Sequence, residues 1–130
     1  MQQSFDRFYR HDELTRILRG LAERAPHLFA LESIGRSHEG RDIWVVTASN
    51  TRAAPASDKP AFWVDGNIHA AELAASTACL YFRHTLEQGY GRDPETTRLL
   101  DTRAIYVCPR INPDGAEWAL ADKPRYIRSS

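Results

Sequence analysis

The chain has 130 residues, enough for one domain with a real core but few for a complete α/β hydrolase. Its 17 basic and 17 acidic residues cancel to a formal charge of zero, so no electrostatic footprint points to nucleic acid or to an anionic membrane surface. No stretch approaches the roughly 20 apolar residues of a membrane span, and nothing near Met1 joins a basic start to an apolar run, so neither membrane insertion nor export is expected. Cys79 falls in a predicted helix and Cys108 near the end of a predicted strand, positions that suit reduced core cysteines and a reducing, cytoplasmic setting.

Residues 1–10 set Phe5, Phe8 and Tyr9 among polar neighbours and read as a lead-in whose rings pack onto the body. From Asp12 to Ala25 the apolar positions Leu14, Ile17, Leu18, Leu21 and Ala25 follow the helical period, and Pro26 closes an amphipathic surface helix. Leu28 to Ile34 and Asp42 to Ala48 read as strands joined by a Gly35 to Gly40 hairpin connection, in which His38 and Glu39 are expected to be exposed and without a role. Ser49 to Pro60 is a loop, and the apolar run Phe62-Trp63-Val64 reads as a buried strand that breaks at Asp65-Gly66-Asn67. A long helix is predicted from Ala71 to about Gly89. Its stripe of Ala75, Cys79, Phe82 and Leu86 is widened by Leu73, Ala74, Ala78 and Tyr81, a breadth that suits packing on a sheet. A short helix over Glu95 to Leu100, a buried strand over Ala104 to Cys108 and a turn at Asn112-Pro113-Asp114-Gly115 follow, and the tail from Ala116 begins helically.

The chemical residues stand where the Phe62 strand gives way to the long helix. His69 and Glu72 are three apart in the turn that enters it, so an imidazole and a carboxylate can converge on one metal ion. The end of a sheet strand is also where open α/β sheets place their ligands. Spacing alone is weak support, since an HxxE match arises by chance on the order of 0.2 times in a chain of this length. His84 and Glu87 repeat the spacing well inside the predicted helix, and they read as solvated helix-face residues.

Several segments in order resemble the amino-terminal part of a zinc-dependent metallocarboxypeptidase of the carboxypeptidase A type. They are Ile34-Gly35-Arg36-Ser37 with Glu39-Gly40-Arg41, Gly66-Asn67-Ile68-His69-Ala70-Ala71-Glu72, Asp93-Pro94 with Leu99-Leu100-Asp101, and Asn112-Pro113-Asp114-Gly115. The resemblance implies that His69 and Glu72 are two of three protein ligands of a catalytic zinc, that the substrate is a peptide or similar amide cleaved at its C-terminal bond, and that an arginine shortly after the NPDG segment stabilises the oxyanion. Arg128, in Tyr126-Ile127-Arg128, loosely matches that arginine. Arg125 is the rival, and a solvated surface arginine is the plain alternative. The NPDG segment itself is expected to be architectural.

Two departures bear on the carry-over. Many members have Arg immediately before the ligand glutamate, and this chain has Ala71. The family's third ligand histidine, carboxylate-binding residues and catalytic glutamate all fall beyond Ser130. The combined expectation is an α/β fold with a mixed parallel and antiparallel sheet and flanking helices, amounting to roughly the first half of a zinc carboxypeptidase catalytic domain and inactive alone. The Phe62 to Asp65 strand is expected at the raw edge of the sheet, open to self-association. Two other readings stay open: a related zinc deacylase of N-acyl amino acids, and a non-catalytic remnant that binds a partner.

Overall fold

The computed structural model describes residues 3–125 and Arg128. The first helix, α1 (His11–Arg24), buries Leu14, Leu18 and Leu21, spaced so that all three fall on one face. Its first turn is closed by Glu13, whose Oε2 accepts from the Arg10 backbone N–H at 2.9 Å. In the lead-in, Tyr9 is buried and Phe5 meets Tyr81 edge to face at 5.2 Å between ring centroids. Phe8 departs from expectation and stays 48% exposed.

Strands β1 (Phe29–Arg36) and β2 (Asp42–Ala48) form the antiparallel hairpin, with an irregular register between Ser33 and Arg36. Gly40, at φ 81°, supplies the left-handed residue of the connection. Strand β3 (Ala61–Asp65) is followed by α2 (Leu73–Gly89) and α3 (Pro94–Thr102), and β4 (Ala104–Cys108) leads to α4 (Pro113–Ala119). The sheet order is β1-β2-β4-β3, with β4 antiparallel to β2 and parallel to β3, so the sheet is mixed.

The register lays two apolar rows across all four strands. Phe29, Ala48, Ile105 and Phe62 make one; Leu31, Val46, Val107 and Val64 make the other. Helices α1 and α2 contribute Leu14, Leu18, Leu21, Cys79, Leu80 and Leu86 to the core that these rows form, Phe62 apart. The central strand β4 is buried as predicted. Strand β3 is not: it pairs on one side only, leaving Phe62 61% and Trp63 47% exposed with only Val64 half-buried. Its apolar run therefore marks an edge strand with an open face, as the resemblance implied, rather than a buried one. Among the described residues no helix is long and apolar enough to cross a membrane.

The buried face of α2 is turned from the predicted stripe. It consists of Leu73, Ser76, Cys79, Leu80, Arg83 and Leu86, whereas Ala74, Ala78 and Tyr81 are exposed. Cys79 and Cys108 are free and buried, and their thiols are pushed up to about 11 and about 12, mainly by burial. Arg83, only 1% exposed, donates to Glu87 Oε2 at 2.8 Å, and Arg24 reaches the other oxygen of that carboxylate at 3.0 Å. Glu87 is thus a partly buried counter-ion and not the solvated residue expected from its place in the helix.

Removing the carboxylate leaves Arg83 as an uncompensated buried charge, whereas replacing Arg83 by an apolar side chain of similar length leaves a less buried carboxylate that still has Arg24 at 3.0 Å. Glu87→Gln is expected to cost about 3–5 kcal/mol of unfolding free energy. Arg83→Met should cost less. Urea titrations followed by circular dichroism compare the two directly.

Candidate metal centre

Strand β3 ends where Gly66 donates its N–H to Cys108 O at 3.1 Å, continuing the parallel pairing one residue beyond the strand. A Cβ on Gly66 would come within 2.8 Å of the Ala75 carbonyl oxygen on α2, so only glycine fits between strand and helix. Asn67 then takes the left-handed conformation at φ 58°, which asparagine tolerates better than most residues. Its side chain is buried and its Nδ2 donates to the His69 carbonyl at 2.9 Å. These two residues turn the chain back so that it can enter α2.

In the segment that follows, His69 Nδ1 and Glu72 Oε2 lie 2.8 Å apart, with the His69 side chain 27% and the Glu72 side chain 51% exposed. Glu72 is the residue immediately before α2, and its N–H donates to His69 O at 3.2 Å. The pair therefore sits in the turn ahead of the helix, as the sequence suggested. Nδ1 and Oε2 already face one another, an imidazole nitrogen and a carboxylate oxygen of the kind that zinc takes as ligands. Arg128 comes within 3.9 Å of the other Glu72 oxygen through its Nε. At 76% side-chain exposure this is a weak, solvated attraction. Arg125 is held differently, through its backbone N–H to Trp118 O at 3.0 Å. Tyr126 and Ile127, which carried the aromatic part of the Arg128 match, lie outside the described residues.

The second HxxE pair is unsuited to a metal. His84 Nδ1 stands 4.0 Å from Glu87 Oε2, and that carboxylate is already occupied by the Arg83 and Arg24 guanidiniums, whose charge would repel a cation. Among the described residues no cluster of three or more histidine, cysteine, aspartate or glutamate side chains could hold a metal ion. The His69 and Glu72 donor set thus fits zinc as two ligands and leaves the third to come from elsewhere.

The NPDG segment is not a free turn but the start of α4. Asn112 caps the helix by accepting from Gly115 N at 2.9 Å, and Pro113 occupies the first helical position. Ile111 N donates to Gly66 O and Asn112 N to Asn67 O, both at 3.0 Å, and Asn112 Nδ2 donates to Ile68 O at 3.1 Å. The segment therefore backs the loop that carries the candidate ligands. Glu39 also acquires partners that its predicted exposure did not suggest: its carboxylate accepts from Trp118 Nε1 at 3.0 Å and its N–H donates to Asp114 at 2.9 Å.

Comparison with known proteins identifies the family. Residues 14–128 match the model of the zinc carboxypeptidase family. Human carboxypeptidase D is 37% identical over 136 aligned residues, covering 88% of this chain and 10% of that protein. A zinc carboxypeptidase of Saccharothrix mutabilis subsp. capreolus is 34% identical, covering 74% of this chain and 22% of its own length. Among solved structures, carboxypeptidase A from Helicoverpa armigera superposes with a TM-score of 0.82 at 28% identity, over 98% of this chain and 30% of that one. The chain thus spans only a minor part of the relatives it matches. With the family's match running through the strand-end loop and both of its candidate ligands, this chain belongs to the zinc carboxypeptidase family.

Proposed function

We propose that the chain is the amino-terminal part of a zinc carboxypeptidase catalytic domain, in which His69 and Glu72 supply two zinc ligands and the parent reaction is hydrolysis of a C-terminal peptide bond. The observation that carries this reading is the 2.8 Å approach of His69 Nδ1 to Glu72 Oε2 at the end of β3, within the family's match. When bound, zinc lowers the pKa of a water and polarises a carbonyl. Arg128, the arginine that approaches Glu72, is assigned to the developing negative charge of the substrate oxygen. A peptide or similar amide is the substrate class. Ala71 offers no guanidinium beside the ligand pair, so substrate is held by other groups. The third ligand and the proton-accepting carboxylate come from outside the described residues, and the chain alone is inactive on this reading.

Zinc titration of the chelator-stripped chain tests the assignment. Zinc binding that disappears in His69→Ala and Glu72→Gln but persists in His84→Ala is the expected result. Binding that survives in His69→Ala would refute the ligand assignment, and complete absence of zinc binding would favour a non-catalytic remnant.

The open edge of β3 supports a second proposal, that copies of the chain associate through this strand. Phe62 and Trp63 present apolar surface beside backbone groups that, among the described residues, have no strand partner on the outer side. Light scattering should give a mass above that of the 14.8 kDa monomer, reduced toward it by Phe62→Lys. A monodisperse monomer of the unsubstituted chain would contradict the proposal.

A further inference from the structure

Two of the recognised segments, the hairpin connection and the NPDG segment, supply no chemistry to the centre, yet a single carboxylate joins them. Asp114, 7% exposed, accepts from Ser37 Oγ at 2.7 Å, from the Glu39 N–H at 2.9 Å and from Arg41 Nη1 at 2.8 Å. Ser37 Oγ in turn accepts from the Arg41 N–H at 2.9 Å, so the hairpin tip is closed around the same group. A buried carboxylate with three donors, one of them a guanidinium, is a strong and directional anchor. It fixes the first turn of α4 against the β1–β2 hairpin.

The opposite side of that turn faces the ligand loop. Asn112 contacts it through its N–H to Asn67 O and its Nδ2 to Ile68 O, at 3.0 and 3.1 Å. Gly115 lies so close that a Cβ there would stand 2.6 Å from the Ala70 Cβ and 2.9 Å from its Cα, a separation real atoms do not adopt. The Gly115 backbone therefore packs directly on the Ala70 methyl and Cα, one residue beyond His69. A shift of the α4 turn cannot be absorbed by side-chain motion at this contact, and must move residues 67–70 with it.

We propose that Asp114 is a positioning residue for the His69 and Glu72 pair, holding the α4 turn at the depth at which Asn112 and Gly115 seat the ligand loop. Ser37 and Arg41 act through Asp114, which makes the hairpin tip part of the metal centre's support although it touches neither ligand. The inference rests on the assignment of His69 and Glu72 as zinc ligands. Groups hydrogen-bonded directly to a metal's ligands typically change its affinity by about 10–100-fold when lost. Asp114 acts one step further out, through Asn112 and Gly115, so the lower end of that range, about 10-fold, is expected.

Cobalt(II) is a suitable probe, because its paramagnetism broadens the His69 ring resonances in proportion to occupancy and only the folded signals are counted. In the 130-residue chain, Asp114→Asn and Gly115→Ala are expected to keep the β-sheet amide shifts and to bind cobalt about 10-fold more weakly at His69. Ser37→Ala should show a smaller loss, restored by Ser37→Thr, which keeps the hydroxyl; a purely structural role would lower stability without moving affinity in the folded fraction. Unchanged cobalt affinity in Asp114→Asn and Ser37→Ala overturns the proposal. Should Asp114→Asn fail to fold, the Ser37 pair decides. Failure of the unsubstituted chain to bind cobalt at His69 would remove the zinc assignment and this inference with it, and is distinguished by appearing before any substitution is made.

Discussion

The parallel pairing of β3 with β4 is the constraint on which the rest of the centre depends. Two strands that run side by side in the same direction release their following segments at the same end of the sheet. Here β3 releases Gly66 to Glu72 and β4 releases Pro109 to Gly115, and hydrogen bonds from Gly66 to Cys108, Ile111 to Gly66 and Asn112 to Asn67 carry the pairing into both segments. The loop with the candidate ligands is therefore clamped backbone to backbone before any metal is considered. Side-chain contacts refine that arrangement: Asn67 folds back on the His69 carbonyl, and Gly66 admits α2 to close approach.

Electrostatics separate the two HxxE pairs more clearly than spacing does. The His69 and Glu72 donors meet at 2.8 Å with one exposed guanidinium at 3.9 Å, which leaves the carboxylate free to serve a cation. Glu87 is committed to a buried arginine and a second one on α1, and its loss is felt as stability. Identical residue types at identical spacing thus stand in unlike surroundings, and the difference lies in which charges face them.

Much of this was legible in the sequence. The helical spacing of Leu14, Leu18 and Leu21 and the short apolar run Ala104 to Cys108 gave the first helix and the central strand, and the Asp65-Gly66-Asn67 break gave the turn that presents His69. Of the departures from expectation, three show why a local pattern falls short. The run Phe62-Trp63-Val64 has the apolar content of a buried strand, but burial depends on neighbours on both sides, which a local pattern does not report. The apolar count along α2 favoured Phe82 over Arg83, yet the arginine faces inward because Glu87 neutralises it. Asn112-Pro113-Asp114-Gly115 carries turn residues, and the same residues serve as helix cap, first helical position, anchor and close-contact glycine. An asparagine followed by proline was the signal for a helix start, whereas the partners of Asp114 lie 73 to 77 residues away and no local pattern names them.

Zinc K-edge X-ray absorption on the zinc-loaded chain tests the central assignment most directly, because it reports which atom types surround the metal. A shell of nitrogen and oxygen at about 2.0–2.2 Å, with the outer-shell scattering of an imidazole ring, is the result that His69 and Glu72 require. A sulfur shell at about 2.3 Å, drawn from Cys79 or Cys108, or a shell without imidazole scattering, would contradict it.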